Sequence, residues 1–185
     1  MNDYGSKDIP FLFIVDFNMY TPEIYRLEDI PEGIKFETPL LSNVSSGKNY
    51  TGPFIFNKEP VPFSQYLESY QSIQKEIHLG KTFLVNLTFP TKVLTNLTLE
   101  EIFYISRAKY KLLYHNKFVV FSPEIFVRIS DNKIKSFPMK GTIDASIPDA
   151  ESVILSNIKE KAEHNTIVDL IRNDLSIEAK DVVVT

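Results

Sequence analysis

The longest uninterrupted apolar run in this chain is five residues, Phe11 to Val15. A membrane-spanning helix needs about 20 consecutive apolar residues, and a signal-peptide core needs about 7 to 15. The sequence therefore predicts neither. A chain patterned in such short pieces must build its core from brief strands and amphipathic helices. It has the material to do so, because 14 Phe and 9 Tyr in 185 residues supply ample apolar area and exclude disorder as the main state.

The pattern along the chain is mixed. Phe11-Leu-Phe-Ile-Val-Asp-Phe17 reads as a buried strand between Pro10 and Asn18. Residues 21–60 hold short strand-like pieces cut by Pro22, Pro31, Pro39 and Pro53. Phe63, Tyr66, Leu67, Tyr70, Ile73 and Ile77 then follow helical spacing, with Gly80 as the stop. Lys81 to Val93 reads as a strand, with Phe83, Val85, Leu87 and Phe89 on one face. Thr98-Leu-Glu-Glu101 is a capping box opening a short helix. Phe118 to Phe121 and Ile125 to Ile129 read as strands, and Asp131-Asn132 turns the second of these into Lys133 to Phe137. Ala150 to Leu175 is helical, broken near Asn157. Strands with helices inserted between hairpins predict an α+β fold with a β-sheet or β-sandwich core.

Several function classes drop out. Twenty Lys and Arg against 24 Asp and Glu give a net charge of −4, which argues against nucleic-acid binding. Six glycines leave no Gly-rich phosphate loop, and no cysteine is present to form a disulfide, a thiolate metal site or a thiol nucleophile. The lack of cysteine suits a reducing compartment. Four Asn-x-Ser/Thr strings, beginning at Asn43, Asn49, Asn86 and Asn96, read as chance in a chain rich in these residues.

Four short strings can carry chemistry. In Glu160-Lys-Ala-Glu163-His164 the two glutamates and the histidine share one helix face. Paired carboxylates repel, and a hard divalent cation such as Mg²⁺ relieves that repulsion. The same spacing also describes a solvated face with Lys159 and Lys161 as partners. In Pro138-Met-Lys-Gly-Thr142 a lysine precedes a glycine that permits close backbone approach. Lys140 is either a nucleophile or an exposed cation at a hairpin exit, and Gly141 and Thr142 can offer donors to an anion. Ser122-Pro-Glu124 is a turn or a site for a general acid. Asp169-Leu-Ile-Arg-Asn-Asp174 is explained by an Arg172–Asp169 pair and a polar helix end.

Each string is weak alone, but their order is specific. Ser122-Pro-Glu-Ile-Phe126, Pro138-Met-Lys-Gly-Thr142, Lys159-Glu-Lys-Ala-Glu-His164 and Ile167-Val-Asp-Leu-Ile-Arg-Asn-Asp-Leu175 together resemble the chorismate-utilising enzyme family. Gly80 to Thr88 resembles the family's preceding strand more loosely, and Phe11 to Phe17 resembles the start of its compact members. The lysine of the Pro-x-Lys-Gly-Thr string resembles the aminodeoxychorismate synthase component I branch, since anthranilate synthases usually carry a small residue there.

The resemblance implies an anthranilate synthase component I-like fold. It makes Lys140 the nucleophile and Glu124 the general acid. Gly141 and Thr142 become substrate contacts, and Glu160 and Glu163 one pair of Mg²⁺ carboxylates. It also implies chorismate as substrate, ammonia from a glutamine amidotransferase partner, and a cytoplasmic role in para-aminobenzoate and folate biosynthesis. The family's catalytic region extends past the Arg-Asn-Asp-Leu string, so residues 1–185 are expected to be the N-terminal part of a chorismate-binding domain, its motifs within 80–175. Val182-Val-Val184 reads as a strand just begun. Two other readings stand beside this one: an anthranilate or isochorismate synthase, and an inactive fragment or partner-binding module.

Overall fold

A computed structural model of the chain describes residues 1–45, 52–139 and 141–184. The chain forms two compact units, Met1–Ser46 with Ser106–Thr185, and Gly47–Ile105. Helices and small antiparallel sheets alternate irregularly in both, which is the expected α+β class.

The first unit opens with a one-turn helix α1 (Asn2–Gly5) and the antiparallel pair β1 (Phe11–Ile14) and β2 (Glu23–Arg26). Strand β3 (Ile34–Glu37) then lies on one edge of a three-stranded antiparallel sheet with β6 (Tyr110–Tyr114) and β7 (Phe118–Ser122). Buried Ile34, Phe36 and Leu113 make this sheet the packed part of the unit. The exposed edge of β3 is closed by Asn43. Its Oδ1 accepts from the Phe36 N–H at 2.8 Å, and its Nδ2 donates to the Ile34 carbonyl at 2.8 Å. Paired edge groups do not recruit other strands, and Asn43 thereby has a structural use.

Lys111 of β6 is buried directly opposite Glu37 of β3, with Nζ 2.8 Å from the carboxylate. Glu23 of β2 accepts hydrogen bonds from the hydroxyls of Tyr25 (2.6 Å) and Tyr114, tying the β1–β2 pair to the end of β6. The Tyr114 and Tyr25 hydrogen bonds hold the Glu23 carboxyl below its ordinary range. The same carboxylate pushes the Tyr25 phenol up to about 12.

After β7 come the hairpin β8 (Arg128–Ser130) and β9 (Lys133–Lys135). Asp131 and Asn132 both have positive φ (52° and 55°), as its two-residue turn requires. Helices α4 (Ala150–Ser156) and α5 (Ile158–Glu178) complete the unit. The break between them is at Asn157, whose extended backbone ends α4 and whose Oδ1 caps α5 by accepting from the Glu160 N–H at 3.1 Å.

The second unit holds helix α2 (Phe63–His78), the pair β4 (Phe56–Glu59) and β5 (Lys92–Thr95), and helix α3 (Leu99–Ile105). Gly80 at φ +72° follows α2 as expected. The capping box forms: Thr98 N–H donates to Glu101 Oε2 at 2.8 Å, and Glu101 N–H to Thr98 Oγ1 at 3.2 Å.

Five expectations change. Of the strand expected from Ile125 to Ile129, only Arg128 and Ile129 lie in one, β8. Residues 82–91 alternate like a strand but form none, and pairing begins only at Lys92, because no strand lies beside them among the described residues. The segment from Phe11 keeps its strand only to Ile14, and with one partner strand it is half-exposed, Phe17 fully so. Val182 to Val184 form no strand. The expected sheet core is divided among one three-stranded and three two-stranded sheets, so no β-sandwich is described. No helix among the described residues is long and apolar enough to cross a membrane.

Candidate functional site

The candidate site is built from three connected places in the first unit. The chain leaves β7 at Ser122 and turns at Pro123. The Ser122 hydroxyl donates to the Glu124 carbonyl at 2.7 Å, so the Ser-Pro turn reading holds. The turn also aims the Glu124 side chain at the 136–139 segment, where Oε2 accepts from the Met139 N–H at 2.9 Å. Ser136 Oγ donates to the Phe126 carbonyl at 3.0 Å and fastens the same two segments. Glu124 is exposed.

Gly141 makes the second connection. Its φ is +83°, a conformation that L side chains rarely adopt. A Cβ there would lie 2.9 Å from Glu160 Oε2, 3.4 Å from Glu160 Cβ and 3.5 Å from Ile154 Cδ1. The backbone after Pro138-Met139 therefore lies against the Glu160 side chain at the start of α5, and a side chain at Gly141 would meet both a strained φ and that carboxylate. Lys140 itself lies outside the described residues. Thr142 is exposed.

The third place is the first turn of α5. Glu160 and Glu163 share a helix face, and the Lys159 ammonium lies 3.5 Å from Glu160 Oε1 and 3.3 Å from Glu163 Oε1. Lys159 is held above its ordinary pKa by its hydrogen bond to Glu163, then by the charges of both glutamates. The solvated-face reading is thus half realised: Lys159 partners both carboxylates, whereas Lys161 makes no ion pair among the described residues. Arg172 pairs with Asp169 three residues earlier on the same helix, as the spacing predicts.

Glu160 and Glu163 present hard oxygen donors, one from each lying within 3.5 Å of the same ammonium. That donor set fits Mg²⁺, which keeps several waters and takes one or two carboxylates plus substrate oxygens. Among the described residues no group of three or more His, Cys, Asp and Glu side chains gathers. The described residues thus offer two carboxylates to such a site.

The structure brings Glu124, Gly141, Glu160 and Glu163 into one connected set through Met139, Gly141 and Lys159. Sequence reasoning placed the helix break near Asn157 but missed its role as the cap that fixes the turn carrying Glu160. An Asn before a helical run, three residues ahead of a glutamate, was the available signal. It also missed Ile154, for which no sequence signal exists.

The model of the family of chorismate binding enzymes matches residues 37–185. The chain belongs to this family. Among curated proteins it is similar to an uncharacterized PabA-like protein of Haemophilus influenzae, with 46% identity over 99% of this chain and 56% of that protein. It is 43% identical to a PabA-like protein of Pasteurella multocida over 100% of this chain and 57% of that one. A 2-amino-4-deoxychorismate synthase of Streptomyces globisporus is 48% identical over 29% of this chain and 12% of its own length. The chain thus spans little more than half the length of the PabA-like relatives it matches. No solved structure matches it. The four ordered strings all lie inside the family's matched region.

Proposed function

We propose that this protein is the chorismate-binding, aminating component of an aminodeoxychorismate synthase, with the anthranilate synthase component I-like fold of that group. It converts chorismate and ammonia into 4-amino-4-deoxychorismate and water. The observation that carries the reading is the meeting of three strings in one unit. Met139 is bound to Glu124 and Gly141 is seated on Glu160, and in the sequence these two residues flank Lys140.

The roles follow from the chemistry. Hydroxide is a poor leaving group, so an acid must protonate the departing ring hydroxyl, and Glu124 is that acid. The Lys140 amine attacks the ring and forms a C–N bond as the C–O bond breaks and water leaves. Ammonia then adds and expels the lysine, which splits one hard substitution into two easier ones. Glu124 must be protonated to act. Its carboxyl is exposed, so bound substrate can cover it. Gly141 and Thr142 offer a backbone N–H and a hydroxyl to the substrate. Glu160 and Glu163 would hold Mg²⁺, whose positive charge supplies the counterpart to a substrate carboxylate.

Ammonia comes from a glutamine amidotransferase partner, and a cysteine-free chain suits the cytoplasm and a place in para-aminobenzoate and folate biosynthesis. The test is product analysis of the full gene product with chorismate, an ammonium salt and Mg²⁺. We expect 4-amino-4-deoxychorismate from the unaltered protein and almost none from Lys140→Ala. Anthranilate or isochorismate as the main product, or unaltered turnover in Lys140→Ala, would overturn the assignment.

A further inference from the structure

We propose that Lys159 is a resident counter-cation of the Glu160 and Glu163 carboxylates, and that a divalent cation enters this pair only by displacing its ammonium. The inference rests on the reading of these two glutamates as metal carboxylates and extends it to a residue with no assigned role. One Nζ lies 3.5 Å from Glu160 Oε1 and 3.3 Å from Glu163 Oε1, so a single positive group bridges the pair. The other oxygen of Glu160 is turned toward the Gly141 backbone, 2.9 Å from where a Cβ would stand. The oxygens that Lys159 touches are therefore those a cation arriving from water would use.

The exposures fit an exchange. The Lys159 side chain is 75% exposed, against 24% for Glu160 and 36% for Glu163, so the ammonium covers the pair from the solvent side on a free stem. Two cations cannot occupy one position between the same oxygens, because their repulsion at contact distance is not screened. Metal binding is then a swap, and its apparent affinity is lowered by the strength of the ammonium contact. Lys161, two positions on and without an ion pair among the described residues, carries the same charge without the bridge.

Mn²⁺, followed by the electron paramagnetic resonance signal of the free ion at low ionic strength, is the probe. Exposed ion pairs contribute little, so Lys159→Gln should bind Mn²⁺ only about two- to fivefold more tightly than the unaltered chain. Lys161→Gln, with the same change of charge, should alter affinity by less than half as much. Acetylation of Lys159 by an activated ester, read by mass spectrometry, should speed up when Mn²⁺ is added, while that of Lys161 should not. Equal or weaker binding by Lys159→Gln, an equal gain in Lys161→Gln, or Lys159 labelling indifferent to Mn²⁺ would each overturn the proposal. Failure of the unaltered chain and both variants to bind Mn²⁺ would overturn the metal reading as well, which separates the two.

Discussion

Gly141→Ala tests the contact on which the site depends. The substitution acts twice. At φ +83° an L residue is held in the left-handed region, which costs about 1–2 kcal/mol. The new methyl also lies 2.9 Å from Glu160 Oε2 and 3.4 Å from Glu160 Cβ. The carboxylate ends a flexible side chain and can turn away, but its other oxygen, Oε1, then leaves the Lys159 ammonium, and exposed ion pairs are worth about 0.2–1 kcal/mol. The sum is a loss of about 2 kcal/mol, read as a lower urea midpoint by far-ultraviolet circular dichroism with the slope unchanged. A double-mutant cycle with Glu160→Ala separates the parts. Once the carboxylate is gone only the backbone term remains, so the double variant should lose less than the two singles together, by about 0.5 kcal/mol or more. A Gly141→Ala loss under about 0.5 kcal/mol would refute the strained backbone, and strict additivity would refute the seating of Gly141 on Glu160.

Two further outcomes concern the scaffold. Glu37→Ala leaves the buried Lys111 ammonium without its cross-strand carboxylate, though Nζ also donates to the Ser106 carbonyl at 3.3 Å. Because Glu37 is half-exposed, water refills part of the gap. We expect a loss of about 1–2 kcal/mol in urea unfolding, and an unchanged midpoint would show that the pair contributes nothing. For the Glu23 cluster, Tyr25 has its pKa raised in the folded state, so its contribution is fully present below about 10 and is lost as pH rises toward about 12. Glu23 is shifted the other way, so its contribution is present above the ordinary carboxyl range and is lost as pH falls through its depressed value. A phenolate absorbance titration should find Tyr25 ionising near 12 and Tyr114 raised with it, both falling back in Glu23→Gln; a normal Tyr25 in the unaltered chain would refute the cluster.

What was legible in the sequence was local. The Thr98–Glu101 capping box, the Asp131-Asn132 turn and the break at Asn157 are decided by a few adjacent residues whose side chains bond their own backbone, so the string contains the answer. The strand expected over 81–93 forms only from Lys92, for the opposite reason. Alternation supplies two faces but not a neighbour, and backbone groups of a strand need one. Glu124, Glu160 and Glu163 were each visible as residues, yet their connection was not. It runs through the Met139 N–H and the absent side chain of Gly141, and neither a backbone donor nor a missing Cβ has a signature in spacing.

Under the proposed exchange at Lys159, the two readings of the α5 face, a solvated helix surface and a metal site, cease to compete. An acidic protein that is to bind an acidic substrate must invert its local charge. With Lys159 bridging Glu160 and Glu163 these three side chains carry a net single negative charge and offer a carboxylate no positive centre. Replacement of the ammonium by a divalent cation, with the lysine swung aside but still nearby, leaves a net single positive charge, which attracts one. A pair of bare glutamates would be destabilised without metal, and a permanent salt bridge would have no room for it. A lysine on an exposed stem does neither, so the same ion pair that makes the helix face ordinary keeps the carboxylates together until a stronger cation arrives.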